Sequence, residues 1–335
     1  MYSLKKIILY IPSLLFGFFG GLTNFFYKKN ILRPKNYKTK IISIGNLIMG
    51  GAGKTPTVEY IANYFISKNL RFAIISRGYK RQTKGMIVAT KKDNYLTIGD
   101  EPSQYNKKFF GNAVIIVSEN RNLALDYCDN NNIEYAIMDD AFQNLTFEKD
   151  INVLVSSFKK PFFYDDRFPM GMLRESKNNA YRADLMVYSN CPKNIVGQKL
   201  KRFKTKSEYY LRPKTPILFS TVKYNRPKKI FGSRINKDTI LVSSIVYPEK
   251  FYEYMSLKYN VVEKLQFKDH HNYTEDDLKV ITRKLSDNIS LVTTEKDAVK
   301  LCEFSDILSG YNVYYIPIHI EFLFNNDLTD YLENL

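Results

Sequence analysis

The chain has no tryptophan, three cysteines and three histidines in 335 residues. Cys128, Cys191 and Cys302 are widely separated and form no C-x-x-C pair. That argues against a disulfide framework or a structural zinc site and fits a reducing compartment. A zinc centre with several histidine ligands would need nearly all of His270, His271 and His319. The first forty residues contain no acid, and no internal repeat or low-complexity tract is visible. Hydrophobic residues at 44% and charged residues at 25% exclude a wholly disordered chain and a polytopic membrane protein. The length suggests two domains at roughly 100–200 residues each.

Positive charge is plentiful but unevenly placed. Lys and Arg outnumber Asp and Glu 50 to 34, a net charge of +16. Eight of the basic residues lie in 1–40, and fourteen lie in 193–237 against Glu208 alone, so the rest of the chain is mildly acidic. Nucleic acid, anionic lipid, a phosphorylated substrate or a merely solvated lysine surface would each accommodate two basic zones. Ile7 to Tyr27 is uncharged and flanked by Lys5–Lys6 and Lys28–Lys29. At ~1.5 Å per residue such a helix covers about 30 Å, the hydrocarbon thickness. Pro12, Gly17, Gly20 and Gly21 weaken it as a straight span, and no small-x-small cleavage site follows. Residues 1–39 therefore read as a retained membrane anchor that either spans the bilayer or lies in its interface.

From Lys40 the pattern alternates short apolar runs with helical spacing. Strands are expected at 40–44, 72–76, 113–118, 135–138, 152–156 and 184–189, with helices at 57–67 and 121–130. A second alternation places strands at 239–245, 260–267, 290–293 and 313–318. Helices there are expected at 248–258, 296–304 and from the Thr274 cap to about 286, with Asp277 at capping-box spacing. The expected fold class is α/β, two units with parallel sheets covered by helices, divided as 40–218 and 219–335. A basic, proline-bearing stretch from about Pro192 to Lys237 lies between them.

The strongest local signal is Gly50-Gly51-Ala52-Gly53-Lys54-Thr55, placed between an expected strand and helix. Glycines let backbone N–H groups face phosphate oxygens, and a helix N-terminus adds partial positive charge. Lys54 is then expected on the β/γ-phosphates and Thr55 on Mg²⁺. Ile48 stands where the usual phosphate-loop pattern has its first glycine. Such a loop calls for an acid at a nearby strand end, which Asp139 and Asp140 supply after Tyr135–Met138. Three further clusters have little structural motive: Gly99–Pro102, expected in a loop; Pro169–Glu175; and Asp269-His270-His271. A kinase needs a base for the acceptor hydroxyl and cations around the γ-phosphoryl. Asp100 with His270 would form the base, and Arg174 or Arg121 would supply the charge. Asp100 is expected in the first unit and His270 in the second, so their pairing would put the site between the two. No N-K-x-D spacing for guanine is present, and no extra lysine precedes the loop.

These blocks together resemble the tetraacyldisaccharide 4'-kinase family, the lipid A kinases of Gram-negative bacteria, over nearly the whole chain. The resemblance rests on Ser43–Leu47 leading into Gly50–Pro56, Ser76–Tyr79, Gly99–Pro102, Asp139–Gln143, Pro169–Glu175, Asp269–His271 and Thr294–Lys300. Family members share the missing first glycine. Ala141, Asn144 and Met172 depart from the usual Gly, His and Pro. The resemblance implies two Rossmann-like α/β/α units, the first a P-loop kinase domain, with an N-terminal membrane-associated helix. It implies transfer of the ATP γ-phosphoryl, with Mg²⁺, to the 4'-hydroxyl of a tetraacylated glucosamine disaccharide 1-phosphate, the lipid A disaccharide precursor. Asp100 and His270 would be the acid–base pair, and Lys54 and Thr55 would serve phosphate and metal. Asp139, Asp140 and Glu175 would be acidic site residues, with Arg121 and Arg174 cationic. Inner-membrane lipids are the expected surroundings, with the active site on the cytoplasmic face and no nucleic acid partner. Two readings from other classes remain: a membrane-attached P-loop NTPase acting on a protein partner, and a basic binding module with a vestigial nucleotide site. Neither needs a hydroxyl-activating base.

Overall fold

The structure is a computed structural model. It describes residues 2–333 and 335, apart from the side chains of 2–8, 15, 16 and 18–20. The chain forms two compact units. One comprises 2–77, 112–222 and 320–335; the other comprises 78–111 and 223–319.

The first unit is built on a parallel sheet. Its strands run in the order Ile217–Tyr224, Leu185–Ser189, Ile151–Ser157, Lys40–Gly45, Tyr135–Asp139, Phe72–Ser76 and Val114–Val117. The central strands are buried along almost their whole length. That is why they read as continuous Val/Ile/Leu runs rather than alternating ones. Chain order reverses at Lys40–Gly45, whose neighbours are Ile151–Ser157 and Tyr135–Asp139. Open parallel sheets bind ligands beyond the carboxyl ends of the strands at such a reversal. The register aligns Ile44 with Asp139, so the loop after Gly45 and the acid pair emerge at one edge. The C-terminal residues return here, with the Leu323 amide donating to the Phe219 carbonyl at 2.8 Å and Tyr60 Oη to Asp327 at 2.6 Å.

Helix Tyr2–Lys28 also belongs to this unit. Ser13 is buried and donates to the Arg167 carbonyl, Gly17 lies against the Arg167 guanidinium, and Asn24 accepts from Arg182 Nη1. Tyr10, Ile11, Leu14, Leu22 and Phe25 lie on a separate, exposed face. These docking contacts thus come from small or polar residues, and these exposed side chains are apolar. Much of the expected anchor lies among side chains outside the description. Among the described residues no helix is long and apolar enough to cross a membrane.

The second unit has a five-stranded sheet in the order Asn260–Gln266, Asp238–Ser243, Ile289–Thr294, Val313–Ile316 and Lys228–Phe231, the last antiparallel. Two cores sandwich it, as the strand period of two requires. Ile240, Val242, Leu291 and Val313 pack with Leu278 and Ile281 of helix Glu275–Thr282. Leu241, Val292 and Tyr314 pack with Phe251 and Met255 of helix Glu249–Ser256. The capping box forms, with Thr274 and Asp277 bonded reciprocally.

Three expectations are corrected. Residues 78–111, Asp100 included, group with the second unit, because helix Asp100–Phe109 packs on helix Glu295–Leu301. Ion pairing of Lys108 with Glu295 at 3.1 Å reinforces that packing. Gly99–Pro102 is a helix start rather than a loop. Asp100 and Glu101 suit the positive end of the dipole, and a proline is tolerated in a first turn. The stretch 192–237 is not a connector. It contains helix Gly197–Glu208 and strands Ile217–Tyr224 and Lys228–Phe231. Only Phe203 and Ser207 of that helix are buried, which leaves almost no periodic signal.

Candidate functional site

In the first unit the chain leaves Gly45 and re-enters helix Lys54–Ser67 through the glycine-rich loop. A Cβ on Gly45 would lie 2.6 Å from Phe142 Cβ and 2.7 Å from its amide nitrogen, so only glycine lets these loops pass. Gly53 sits at φ +89°, a left-handed conformation that places it directly before the helix. Asn46 organises the loop. Its side-chain amide donates to the Ile48 carbonyl and, at 3.3 Å, to that of Gly50, while its Oδ1 accepts from Lys54 Nζ at 3.1 Å. Ser189 Oγ holds the Ala52 carbonyl at 2.6 Å. Gly50, Gly51, Ala52, Gly53, Lys54 and Thr55 therefore precede or open one helix N-terminus, the arrangement that favours an anion.

Three expected site residues meet beside this loop. Lys54 Nζ lies 3.3 Å from Asp140, and Arg174 Nη1 lies 2.9 Å from both Asp140 carboxylate oxygens. Burial alone would raise the Asp140 pKa, but the two cations outweigh it and hold the carboxyl below its ordinary range. Asp139 ends its strand and is 4% exposed. Arg121 opens helix Arg121–Asn130 and donates to the Asp139 and Ser118 carbonyls at 3.3 Å. Its burial pulls the guanidinium pKa down, against the attraction of Asp139 and Asp140. Glu175, expected on the metal, is engaged elsewhere. Its Oε1 takes Arg182 and Gln143, and its Oε2 takes Asn179 at 2.6 Å. Gln143 also donates to the Asn46 carbonyl at 2.8 Å, so Glu175 supports the loop rather than facing it with a free carboxylate.

The second unit contains a cluster of its own. His270 Nδ1 lies 2.9 Å from Asp100 Oδ2, a pair that needs no bridge between units. His270 Nε2 lies 2.9 Å from Lys296 Nζ. An ammonium only donates, so Nε2 accepts, and Nδ1 carries the ring proton and donates to Asp100. Burial lowers the Lys296 pKa, yet the surrounding carboxylates, led by Glu101 and Asp269, leave it raised overall. Burial likewise opposes the Asp100 charge. The His270 hydrogen bond and the Lys300 ammonium overcome it, leaving the carboxyl below its usual range. Tyr79 packs edge-on against the His270 ring at 5.3 Å. His271 points elsewhere, to Asp277 at 2.9 Å, and serves the turn before the Thr274 helix.

A model of the tetraacyldisaccharide-1-P 4'-kinase family matches residues 5–335. The chain belongs to this family. It is 32% identical over 329 residues to the tetraacyldisaccharide 4'-kinase of Flavobacterium johnsoniae, covering 96% of this chain and 94% of that one. The enzyme of the same name from Phocaeicola vulgatus is 31% identical, covering 97% and 94%. Among solved structures, the "apo" form of LpxK from Aquifex aeolicus, crystallised with ATP, superposes with a TM-score of 0.76 at 24% identity. That match covers 99% of this chain and 98% of the other, and it shows the shared mixed α/β fold.

Asn46, Gln143, Lys296 and Lys300 were not among the expected site residues, although each lies in one of the blocks that carry the family resemblance. Lys300 carried a signal. It stands at core spacing in Glu295–Leu301, beside buried Ala298, Val299 and Leu301.

Proposed function

We propose that the chain is an ATP-dependent kinase that phosphorylates the 4'-hydroxyl of a tetraacylated glucosamine disaccharide 1-phosphate in lipid A biosynthesis. The observation that carries this reading is the Asp100–His270 pair at 2.9 Å, a base of the kind an acceptor hydroxyl requires. The glycine loop and the Lys54–Thr55 helix start form the P-loop that receives the ATP phosphates. Lys54 and Arg174, held by Asp140, exchange this carboxylate for phosphate oxygens when ATP binds. Arg121 adds charge at the same sheet edge.

Thr55, Asp139 and Asp140 form an all-oxygen donor set, which fits Mg²⁺. Among the described residues no group of three His, Cys, Asp or Glu side chains could enclose a metal. Phosphate oxygens and water would complete the shell, as is usual for Mg²⁺ in kinases. When bound, it neutralises charge developing on the transferred group. Asp100 takes the hydroxyl proton as the 4'-oxygen forms its bond to the γ-phosphorus. The bond from that phosphorus to the β,γ-bridging oxygen breaks, and ADP departs. His270, bonded at both ring nitrogens, orients Asp100.

The exposed apolar residues of helix Tyr2–Lys28, the lysines at either end of its uncharged stretch and the basic zone at 193–237 support an enzyme seated on the cytoplasmic face of the inner membrane. Anionic lipid and the substrate 1-phosphate, rather than nucleic acid, explain the charge. The decisive experiment is transfer of labelled phosphate from ATP to purified precursor in detergent. Hydrolysis of ATP without lipid phosphorylation would overturn the reading in favour of an NTPase acting on a protein.

A further inference from the structure

Lys300 is fully buried, its side chain 0% exposed. Burying an ammonium is costly, and an apolar residue of similar size would generally stabilise a core as well or better. The contacts of this one suggest why a lysine is present. Its Nζ lies 2.7 Å from Asp100 Oδ2 and 2.8 Å from the His271 carbonyl. One contact reaches the first residue of helix Asp100–Phe109. The other reaches the turn that carries His270, itself in a left-handed conformation at φ +56°. Lys300 therefore ties together the two segments that present the base. His270 and Lys300 converge on the same carboxylate oxygen, Oδ2, which fixes the carboxylate plane and leaves Oδ1 to neither.

We infer that Lys300 is a positioning residue for phosphoryl transfer, orienting and ionising Asp100 so that Oδ1 takes the proton of the acceptor hydroxyl. This rests on the reading of Asp100 as the base. Lys296, from the preceding turn of the same helix, plays the matching part for His270. The groups facing Asp100 are Lys300 and Lys296 from helix Glu295–Leu301, His270 from the turn, its neighbour Glu101, and Tyr95 from the short helix before it. Asp269 lies beyond Lys296, 3.4 Å from its Nζ. Asp100 is depressed because cations and a hydrogen bond overcome its burial. Removing one cation leaves the burial, so the Asp100 pKa rises. A base works only when deprotonated, so the acid limb of the rate moves to higher pH.

The test uses full-length enzyme in detergent, labelled ATP and purified tetraacyldisaccharide 1-phosphate, with kcat/KM measured from about pH 4.5 to 9. Lys300→Met should move the acid limb up by about two units or more. Its rate should be at least tenfold below wild type at the acid end and within about threefold of it at pH 9. ATP affinity, read by calorimetry, should change less than about twofold. Lys300→Gln keeps a donor for the His271 carbonyl and should give the same displacement, so a poorly folding Met variant leaves the inference testable. A uniform loss at every pH with the limb unmoved would overturn the role of Lys300. Asp100→Asn separates the two levels. If that variant is inactive while the limb stays fixed in both Lys300 variants, only Lys300 is wrongly assigned. If it keeps the wild-type rate, the base reading falls and this inference with it.

Discussion

Replacing Asp140 by Asn should separate two demands that the proposed site makes on one carboxylate. The side chain holds Lys54 at 3.3 Å and Arg174 at 2.9 Å, so an ATP phosphate must compete with it for both cations. Asn is the right substitution because Asp140 sits at φ +54°, where Asn is tolerated and most other residues are strained. The side chain is 34% exposed, so each ion pair is discounted to about 1 kcal/mol or less. Freeing both cations should strengthen ATP binding without Mg²⁺ by about 1–2 kcal/mol, or about 5- to 30-fold. Because the introduced amide can still accept from Arg174, the lower end is expected. With Mg²⁺ and the lipid acceptor, kcat should instead fall by about 10²-fold or more, because a carboxylate assigned to the metal has been lost. Titration calorimetry in EDTA gives the first number and labelled-phosphate transfer the second, with a melting curve to confirm folding. Weaker or unchanged ATP binding in EDTA would refute the competition between Asp140 and phosphate.

Three further outcomes are expected. Lys54→Ala should abolish turnover, by about 10³-fold or more, while thermal unfolding stays close to wild type, since a loop-edge lysine buries little core; near-normal activity would remove the nucleotide site from this loop. Asp100→Ala and His270→Ala should each lower kcat by about 10²–10⁴-fold, with the double variant costing far less than the product because the two act as a unit; His271→Ala, which touches Asp277 instead, should cost much less activity. Deleting residues 1–27 should release most of the protein from anionic vesicles, with residual binding that falls as salt rises; full retention at high salt, measured by flotation, would remove the helix from the membrane. The deletion also takes Asn24 from Arg182, so a small fall in melting temperature should accompany it.

Most of the secondary structure was legible because strands buried on both faces must be written as unbroken apolar runs. Phe72–Ser76 and helix Arg121–Asn130 appear at the positions expected for them. The glycine-rich loop was legible for a related reason. Gly45 and Gly53 answer to close backbone approach and left-handed geometry, constraints local enough to select one residue type. What failed was local as well. Pro102 and two acids look like a loop, yet they suit the first turn of a helix. Helix Gly197–Glu208 buries too few residues to write a period into a lysine-rich segment.

The sequence by itself thus determined the α/β class, the order of the blocks and which residue types are available for the chemistry, because each depends on hydrophobic period, glycine conformation or side-chain acidity. Only the tertiary structure decided who meets whom. It took residues 78–111 out of the first unit and set Asp100 beside His270 within the second. It turned Glu175 to Arg182 and Gln143, and buried Lys300 against Asp100. Such pairings join residues as far as 200 positions apart in the chain. They follow from packing helix on helix and loop on sheet, and no spacing along the chain encodes them.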